Sequence, residues 1–149
     1  MPNLPLPLFI AALVVFFVAL WTGILYLIHR LGWRGLEHWY TNAEPVGAMF
    51  PFSSGDVGNA NYRASLNVWI GEEGLWLRPV LTFAIFCPLV FIPWRDVQAV
   101  QRAKALFVFP VTVVELLGSR TRLEFGGTLG NAVLTHWESS RARGSSQPV

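Results

Sequence analysis

The feature that most constrains this chain is an uncharged apolar stretch close to its N-terminus. Residues Leu4–Ile28 read LPLPLFIAALVVFFVALWTGILYLI, without a charged side chain. A bilayer core of about 30 Å is spanned by roughly 20 apolar helical residues. Pro5 and Pro7 fall in the first helical turn, where a missing amide hydrogen is tolerated. The stretch predicts a transmembrane anchor over residues 1–29.

A cleaved signal peptide is the alternative interpretation of this stretch. Such a peptide has positive residues before a short apolar core, and a small-x-small cleavage site after it. Here the leading residues are MPN, the core is long, and LYLIHR is a poor cleavage site. These features favour an anchor that is retained.

The charges beside the anchor predict its orientation. His29, Arg30 and Arg34 follow the apolar stretch, whereas only the α-amino group precedes it. Positive residues stay on the cytoplasmic side of a membrane. We therefore expect the N-terminus outside and the C-terminal domain in the cytoplasm.

A juxtamembrane segment over residues 30–45 is rich in aromatic residues. The spacing of Leu36, Trp39, Tyr40 and Ala43 predicts an amphipathic helix, which either continues the anchor or resumes after Gly32 and Gly35 and which Pro45 ends. Tryptophan and tyrosine rings suit the headgroup level of a bilayer. The predicted membrane-interface residues are His29, Arg30, Trp33, Arg34, Trp39 and Tyr40.

Residues 46–61 contain many turn-forming residues and predict a connector, in which the triplet FPF could add a first short strand. The domain itself is predicted over residues 62–141. It begins with an alternating strand, and GEEG at 71–74 then predicts a tight hairpin before the returning strand LWLRPV. The strand face predicted to be buried consists of Tyr62, Ala64, Leu66, Val68 and Ile70.

The tract PVLTFAIFCPLVFIPW, at 79–94, could be a second span or two buried strands. As a helix it would extend only about 24 Å, and Pro88 would interrupt its hydrogen bonds. Two short strands, LTFAIF and LVFIPW, are therefore the preferred interpretation. Their continuous apolarity predicts that both faces are covered by protein, or that one face lies on lipid. A hairpin that dips into the membrane face remains the alternative.

The rest of the domain predicts further strands and a closing helix. Strands are expected over Val97–Phe107, Val111–Leu117 and Arg122–Phe125, although a helix is possible for DVQAVQRAKAL. Thr128 is a candidate N-cap for a helix whose packed face would hold Leu129, Ala132, Val133, His136 and Trp137. Residues 142–149 are expected to be a disordered tail.

These elements predict a mainly β protein with an N-terminal transmembrane helix. Its domain would be a small antiparallel barrel of six to seven strands closed by a C-terminal helix, which is the order of elements in a pleckstrin-homology-like (PH-like) fold. OB-like and SH3-like barrels are rivals, but neither expects the closing helix as consistently.

Three segments, GWRGLEHWY, YRASLNVWIGEEGLWLRP and PLVFIPWRDV, resemble an uncharacterised family of small bacterial single-pass membrane proteins with a PH-like domain. The resemblance covers Gly32–Val97. It implies a bacterial inner-membrane location and brings no catalytic residues. This chain departs from the family in FAIFCPL, where the family has a more polar turn, and the departure suggests a membrane or partner contact there.

Composition and spacing argue against several classes of site. The net charge is +2 and the basic residues are scattered, so no stripe suits a nucleic-acid backbone. GGTLGN lacks the Lys-Ser/Thr end of a phosphate-binding loop. His29 and His38 have no partners at metal-ligand spacing, and His136 and the Arg95–Asp96 pair are better explained as structural or surface residues. Cys87, the one cysteine, is expected to be buried and unreactive.

We therefore expect a non-enzymatic interaction or scaffold module at the cytoplasmic face of a bacterial membrane, without metal or cofactor. Its partners would be the lipid around the anchor and an unidentified membrane protein. The alternative is a lipid-binding or lipid-handling domain that uses the apolar hairpin at 81–94. The residues expected to contact the partner or lipid are Phe83, Ile85, Phe86, Leu89, Phe91 and Trp94.

Overall fold

The computed structural model describes residues 5–105 and 108–146. Within them, an N-terminal apolar helix leads into a curled antiparallel sheet of seven strands, and a second helix follows the last strand. The mainly β class is therefore confirmed. The elements are α1 (Leu6–Leu31), β1 (Ala48–Val57), β2 (Ala60–Ile70), β3 (Gly74–Pro79), β4 (Val90–Pro93), β5 (Val97–Ala105), β6 (Phe109–Leu116), β7 (Arg122–Gly126) and α2 (Gly127–Ser145).

The helix α1 is long and apolar enough to cross a membrane, as the sequence predicts. Its side chains are exposed along nearly the whole length, and Leu25 is the buried one. An apolar helix that the protein itself leaves uncovered needs another apolar medium around it. Residue 4, where the predicted span begins, lies outside the described residues.

The sheet has the strand order β4-β3-β2-β1-β7-β6-β5, and every neighbouring pair is antiparallel. It curls into a half-barrel because β1 and β2 bend at their centres. Phe52 in β1 and Ala64 in β2 take left-handed backbone conformations, with φ of 49° and 48°, where the pairing register shifts. Such bulges bend a strand and increase its twist.

These two bulges correct two predictions. Residues 48–57 are a ten-residue strand and not a connector, because Phe52 and its polar neighbours break the alternation that would reveal one. Ala64 is exposed, although Tyr62, Leu66, Val68 and Ile70 on the same predicted face are buried. Between Leu66 and Tyr62, β2 advances four residues while β1 advances two, from Ser53 to Gly55. Ala64 lies in this bulge with a left-handed backbone conformation, and its side chain is turned out of the buried face.

The juxtamembrane segment also differs from its prediction. After Gly32, residues Trp33–Trp39 form a 3₁₀ helix that ends at Tyr40, so no amphipathic α-helix extends to Pro45. A 3₁₀ helix repeats every three residues. Trp33, Leu36 and Trp39 therefore share one face, and all three are buried in the domain core.

The first half of the apolar tract forms no strand. Leu81–Ala84 is a short 3₁₀ helix, and only Val90–Pro93 of the second half pairs with β3. The register of that pairing ends at Leu77 and Val90, which leaves residues 80–89 beyond the sheet. The predicted strand LTFAIF is therefore wrong, and the prediction that 79–94 is not a membrane-spanning helix agrees with the structure.

The GEEG hairpin, the returning strand and the three later strands are confirmed, and residue 107, at the predicted end of β5, lies outside the described residues.

The closing helix is longer than predicted. It begins at Gly127 with Gly126 as its N-cap, so Thr128 is not the cap, and it continues through residues assigned to the tail as far as Ser145. Residues 147–149 lie outside the described residues.

Candidate functional site

The junction between α1 and the domain is tightly fixed. The last carbonyls of a helix lack partners within the helix, and here the amide of Asn59 in the β1–β2 turn donates a hydrogen bond to the Leu31 carbonyl at 3.2 Å. A Cβ on Gly32 would overlap the carbonyl oxygen of Val57 and lie 3.0 Å from the Cβ of Ala60. The hairpin tip thus sits directly against the end of α1.

We expect Gly32→Ala to destabilise the domain by about 1–3 kcal/mol, as overpacking does in other tight sites. Gly23→Ala is the matched control, because no atom lies within 4 Å of a Cβ built at that position in α1. Thermal unfolding in mild detergent, followed by circular dichroism, compares the two variants. Equal melting temperatures would show that the junction is loosely packed.

The predicted interfacial tryptophans lie inside the protein. The ring of Trp33 is completely buried, its Nε1 donates a hydrogen bond to the Pro88 carbonyl at 2.9 Å, and the ring meets Tyr62 edge-to-face at 5.9 Å. Trp39 Nε1 donates to Asp96 Oδ2 at 2.9 Å. Both rings therefore hold the segment onto the sheet and are not free to contact lipid headgroups, which corrects their predicted role.

The other predicted interface residues lie at the junction or near it. Arg30 and Arg34 are exposed, His29 is partly buried at the end of α1, and Tyr40 donates a hydrogen bond to the Trp33 carbonyl at 3.2 Å. Burial raises the pKa of Tyr40 to about 12, so its hydroxyl stays protonated. For the two exposed arginines, a position beside the membrane stays a prediction.

The six residues predicted to contact a partner or lipid differ in their burial. Trp94 is buried and its Nε1 donates to the Gly71 carbonyl at 3.0 Å, so it is a core residue. Leu89 and Phe91 are partly buried, and Phe91 stacks on Trp76 with centroids 4.3 Å apart. Phe83 and Phe86 turn toward α1, whereas Ile85 remains 65% exposed.

Groups capable of covalent or proton-transfer chemistry are not brought together. Cys87 is buried with its Sγ 4.0 Å from Tyr62 Oη, and burial raises the pKa of the thiol to about 11 and that of Tyr62 well above its ordinary value. His136 Nδ1 donates to the Ala132 carbonyl in its own helix. In the described part of the chain, no three His, Cys, Asp or Glu residues are grouped as metal ligands would be.

An open cleft of about 1030 Å³ lies where β1 and β2 bend. Its acidic groups are Asp56 and Glu124, and the amide of Asn61 donates to Asp56. Desolvation and the neighbouring Asp56 raise the pKa of Glu124 above its ordinary value. Asn61 and Glu124 are both hydrogen-bonded to Asp56, and exposed Arg63 is the basic side chain of the described lining.

The two edges of the sheet differ in whether another segment covers them. The β4 edge is four residues long, ends in Pro93, and is covered by the juxtamembrane segment through the Tyr40–Val90 bridge and the Thr41 amide. In contrast, β5 has nine residues and pairs only with β6 among the described strands. Its outer edge presents free backbone donors and acceptors.

A groove of about 570 Å³ runs between β5 and α2. Trp137 and Trp94 supply aromatic walls, and Arg141 lies over the Trp137 ring with its Cζ 4.8 Å from the ring centroid. Arg95 is exposed at the groove, and Arg102 and Lys104 are exposed further along β5. The described lining of the groove contains no acidic side chain. We call this surface the β5–α2 groove.

The far wall of the β5–α2 groove is held in place at both ends of α2. Near its start, Gly130 packs against the Phe125 carbonyl and Thr112. Near its end, Arg143 contacts both the carboxylate and the carbonyl of Glu72 in the β2–β3 hairpin. The Arg143–Glu72 pair is exposed and contributes about 1 kcal/mol or less, so the packing near Gly130 is the firmer of the two contacts.

No local motif in the sequence indicates the β5–α2 groove, because the groove arises from strand order. Comparison of the chain with protein-family models, with curated proteins and with solved structures found no match.

Proposed function

We propose that this protein is a membrane-anchored, non-enzymatic interaction module at the cytoplasmic face of a bacterial inner membrane. Its α1 helix would be the anchor, with the N-terminus outside, and its half-barrel would be a PH-like domain of the family that the sequence resembles. Exposed Arg30 and Arg34 beside the end of α1 support this orientation.

The observation that carries the proposal is the unpaired outer edge of β5. An extended peptide can add a strand to such an edge, gaining affinity from main-chain hydrogen bonds and specificity from pockets for alternate side chains. The β5–α2 groove supports this binding mode, because it lies beside the β5 edge and its lining includes Trp94, Val97 and Trp137.

The charges of the groove indicate the chemistry of the partner. Arg95, Arg102, Lys104 and Arg141 are all exposed along the edge or across from it. They disfavour pairing between two copies of β5, because like charges would then oppose each other. They favour an extended acidic segment, which we propose belongs to a membrane-protein partner on the same side of the bilayer.

Binding of synthetic peptides to the full-length protein in mild detergent tests the proposal. The probes are an eight-residue peptide that alternates glutamate with valine and a matched peptide with lysine for glutamate. We expect the acidic peptide to bind at least tenfold more tightly. Equal binding of both peptides, or no binding of either, would contradict the proposed groove.

Two methylated versions of the acidic peptide test strand addition itself. In an antiparallel pair, alternate amides of one strand face its neighbour. One of the two methylated peptides, the one whose blocked amides face β5, should therefore fail to bind. The other, whose blocked amides face away from β5, should bind as before. Equal tolerance of both sets would mean that the peptide does not pair with β5.

Lipid binding is a second candidate function, and the apolar groove between α1 and residues 83–86 favours it. That groove is about 580 Å³ and open along one side. An open groove suits a lipid that stays in the bilayer better than one that is extracted and carried.

A further inference from the structure

An apolar loop beside α1 has no role in the β5–α2 groove. We define the apolar loop as residues 83–86, Phe83-Ala84-Ile85-Phe86. Phe83 lies against Trp21 with ring centroids 6.4 Å apart, and Phe86 meets Tyr26 edge-to-face at 5.9 Å. The loop therefore runs along the C-terminal half of α1.

The position of these contacts gives the depth of the loop relative to a membrane. His29 and Arg30 are the first polar residues after the apolar run of α1, so they mark the boundary of the hydrocarbon layer. Trp21 precedes Ile28 by seven residues, which corresponds to about 10 Å along a helix. If α1 crosses the bilayer, the Phe83 ring lies at that depth below the boundary.

The exposed surface of the loop suits hydrocarbon. Ile85 is 65% exposed, and the groove between the loop and α1 is lined by Phe17, Val18, Trp21, Leu25 and Phe86 together with Thr22 and Ile85. The hydroxyl of Thr22 donates to the Val18 carbonyl within α1 at 2.8 Å. The groove thus offers carbon atoms almost throughout.

Part of the backbone at the loop and beside it is hydrogen-bonded. Amides without a partner are costly in hydrocarbon. The Val80 amide donates to the Ser65 carbonyl at 2.9 Å, the Phe83 amide to Val80 at 3.2 Å, and the Cys87 amide to Ala84 at 3.3 Å. These bonds satisfy the Phe83 amide within the loop and the amides of Val80 and Cys87 on either side of it.

We infer that the apolar loop enters the hydrocarbon layer beside α1, and that an acyl chain of a membrane lipid fills the groove between them. The inference rests on the proposed anchorage by α1 and is independent of peptide binding at β5. The loop would limit the tilt of the half-barrel against the membrane, because a single helix alone leaves the tilt free.

Fluorescence quenching in vesicles tests this inference. The full-length protein carries Ile85→Cys or Val108→Cys, labelled with an environment-sensitive fluorophore and reconstituted in phosphatidylcholine with nitroxide on the acyl chains. Val108, in the turn before β6, is the matched control because it is 69% exposed, against 65% for Ile85. Native Cys87 is buried with its pKa raised to about 11, so the unsubstituted protein serves as the blank.

We expect the probe at position 85 to emit at shorter wavelength and to be quenched at least threefold more than the probe at 108. Equal quenching at both positions would overturn the inference. An Ile10→Cys probe reports on α1 separately. If position 10 is quenched and position 85 is not, the loop inference fails while the anchor stands; if neither is quenched, the anchor fails as well.

A second copy of the chain could occupy the groove instead of lipid. In that case the probe at position 85 would be unquenched but shifted to shorter wavelength, and the shift would fade as the protein is diluted into excess lipid. That result would also overturn the inference.

Discussion

Replacement of Trp33 by alanine is expected to lower the melting temperature of the domain by at least about 10 °C. The side chain is completely buried, and its loss would leave a large cavity between the juxtamembrane segment and the sheet. Large-to-small changes at such sites cost about 3–5 kcal/mol, which is much of the total stability of an ordinary domain. Thermal unfolding of the full-length protein in mild detergent measures the change.

Two further variants separate the effect of losing the buried ring from the effect of losing its hydrogen bond. Trp33→Phe keeps most of the ring but leaves the Pro88 carbonyl without its donor, so we expect a smaller loss of about 1–3 kcal/mol. Arg34→Ala alters the exposed neighbour in the same 3₁₀ helix and should change stability by less than about 0.5 kcal/mol. An unchanged melting temperature for Trp33→Ala would place this ring outside the core.

Reversal of two charges at the β5–α2 groove is expected to weaken binding of the acidic peptide by roughly 10- to 100-fold at low salt. The variant is Arg95→Glu combined with Arg141→Glu. Each exposed ion pair contributes about 0.2–1 kcal/mol, and reversal replaces that attraction with repulsion of similar size. The difference should shrink as salt is added, because exposed charges are screened.

A charge-matched control distinguishes the groove from the net charge of the protein. Arg78→Glu combined with Arg120→Glu alters two exposed arginines that do not line the groove. This control should keep the affinity of the unsubstituted protein within about twofold. If both double variants lose affinity equally, the peptide responds to overall charge and not to the groove.

The sequence predicted the central hairpin because its local signals agree. Alternation from Leu66 to Ile70, the GEEG turn and an apolar return strand all favour the same register, and the structure contains it. The strand predicted over Val111–Leu117 had an equally clear local pattern and corresponds to β6, whereas the pattern over Val97–Phe107 was mixed and left a helix possible where the structure has β5. Where local pattern and tertiary pairing coincide, no further information is needed.

Two misassigned segments show where local pattern is insufficient. LTFAIF has the composition of a buried strand, but composition does not reveal that the pairing partner ends at Leu77. β1 was assigned to a connector because a bulge at Phe52 interrupts its alternation. In both cases the deciding fact is a pairing with residues distant in the sequence.

A usable signal in the juxtamembrane segment was missed. Trp33, Leu36 and Trp39 repeat at intervals of three, which is the period of a 3₁₀ helix and not of an α-helix. Read at that period, the three residues form one apolar face. Their burial in the core, and the loss of Trp33 and Trp39 as headgroup contacts, follow from it.

The two candidate surfaces, the groove beside α1 and the β5–α2 groove, arise from the way the elements pack and not from local sequence motifs. The departure of FAIFCPL from the family pattern suggested a membrane or partner contact, which stays a prediction. The structure places Phe83 and Phe86 against α1 of the same chain. The β5–α2 groove could not be predicted, because it requires knowing that β5 is an outer strand beside α2. Strand order is a property of the whole chain.

The most direct test of the account is the side of the membrane on which each part lies. Single cysteines are introduced at Asn3, ahead of α1, and at Glu44, exposed after the juxtamembrane segment. Whole cells are then treated with a membrane-impermeant maleimide. We predict labelling at position 3 in intact cells and at position 44 only after permeabilisation. Labelling of both positions in intact cells, or the reverse pattern, would contradict a single anchor that holds the half-barrel at the cytoplasmic face.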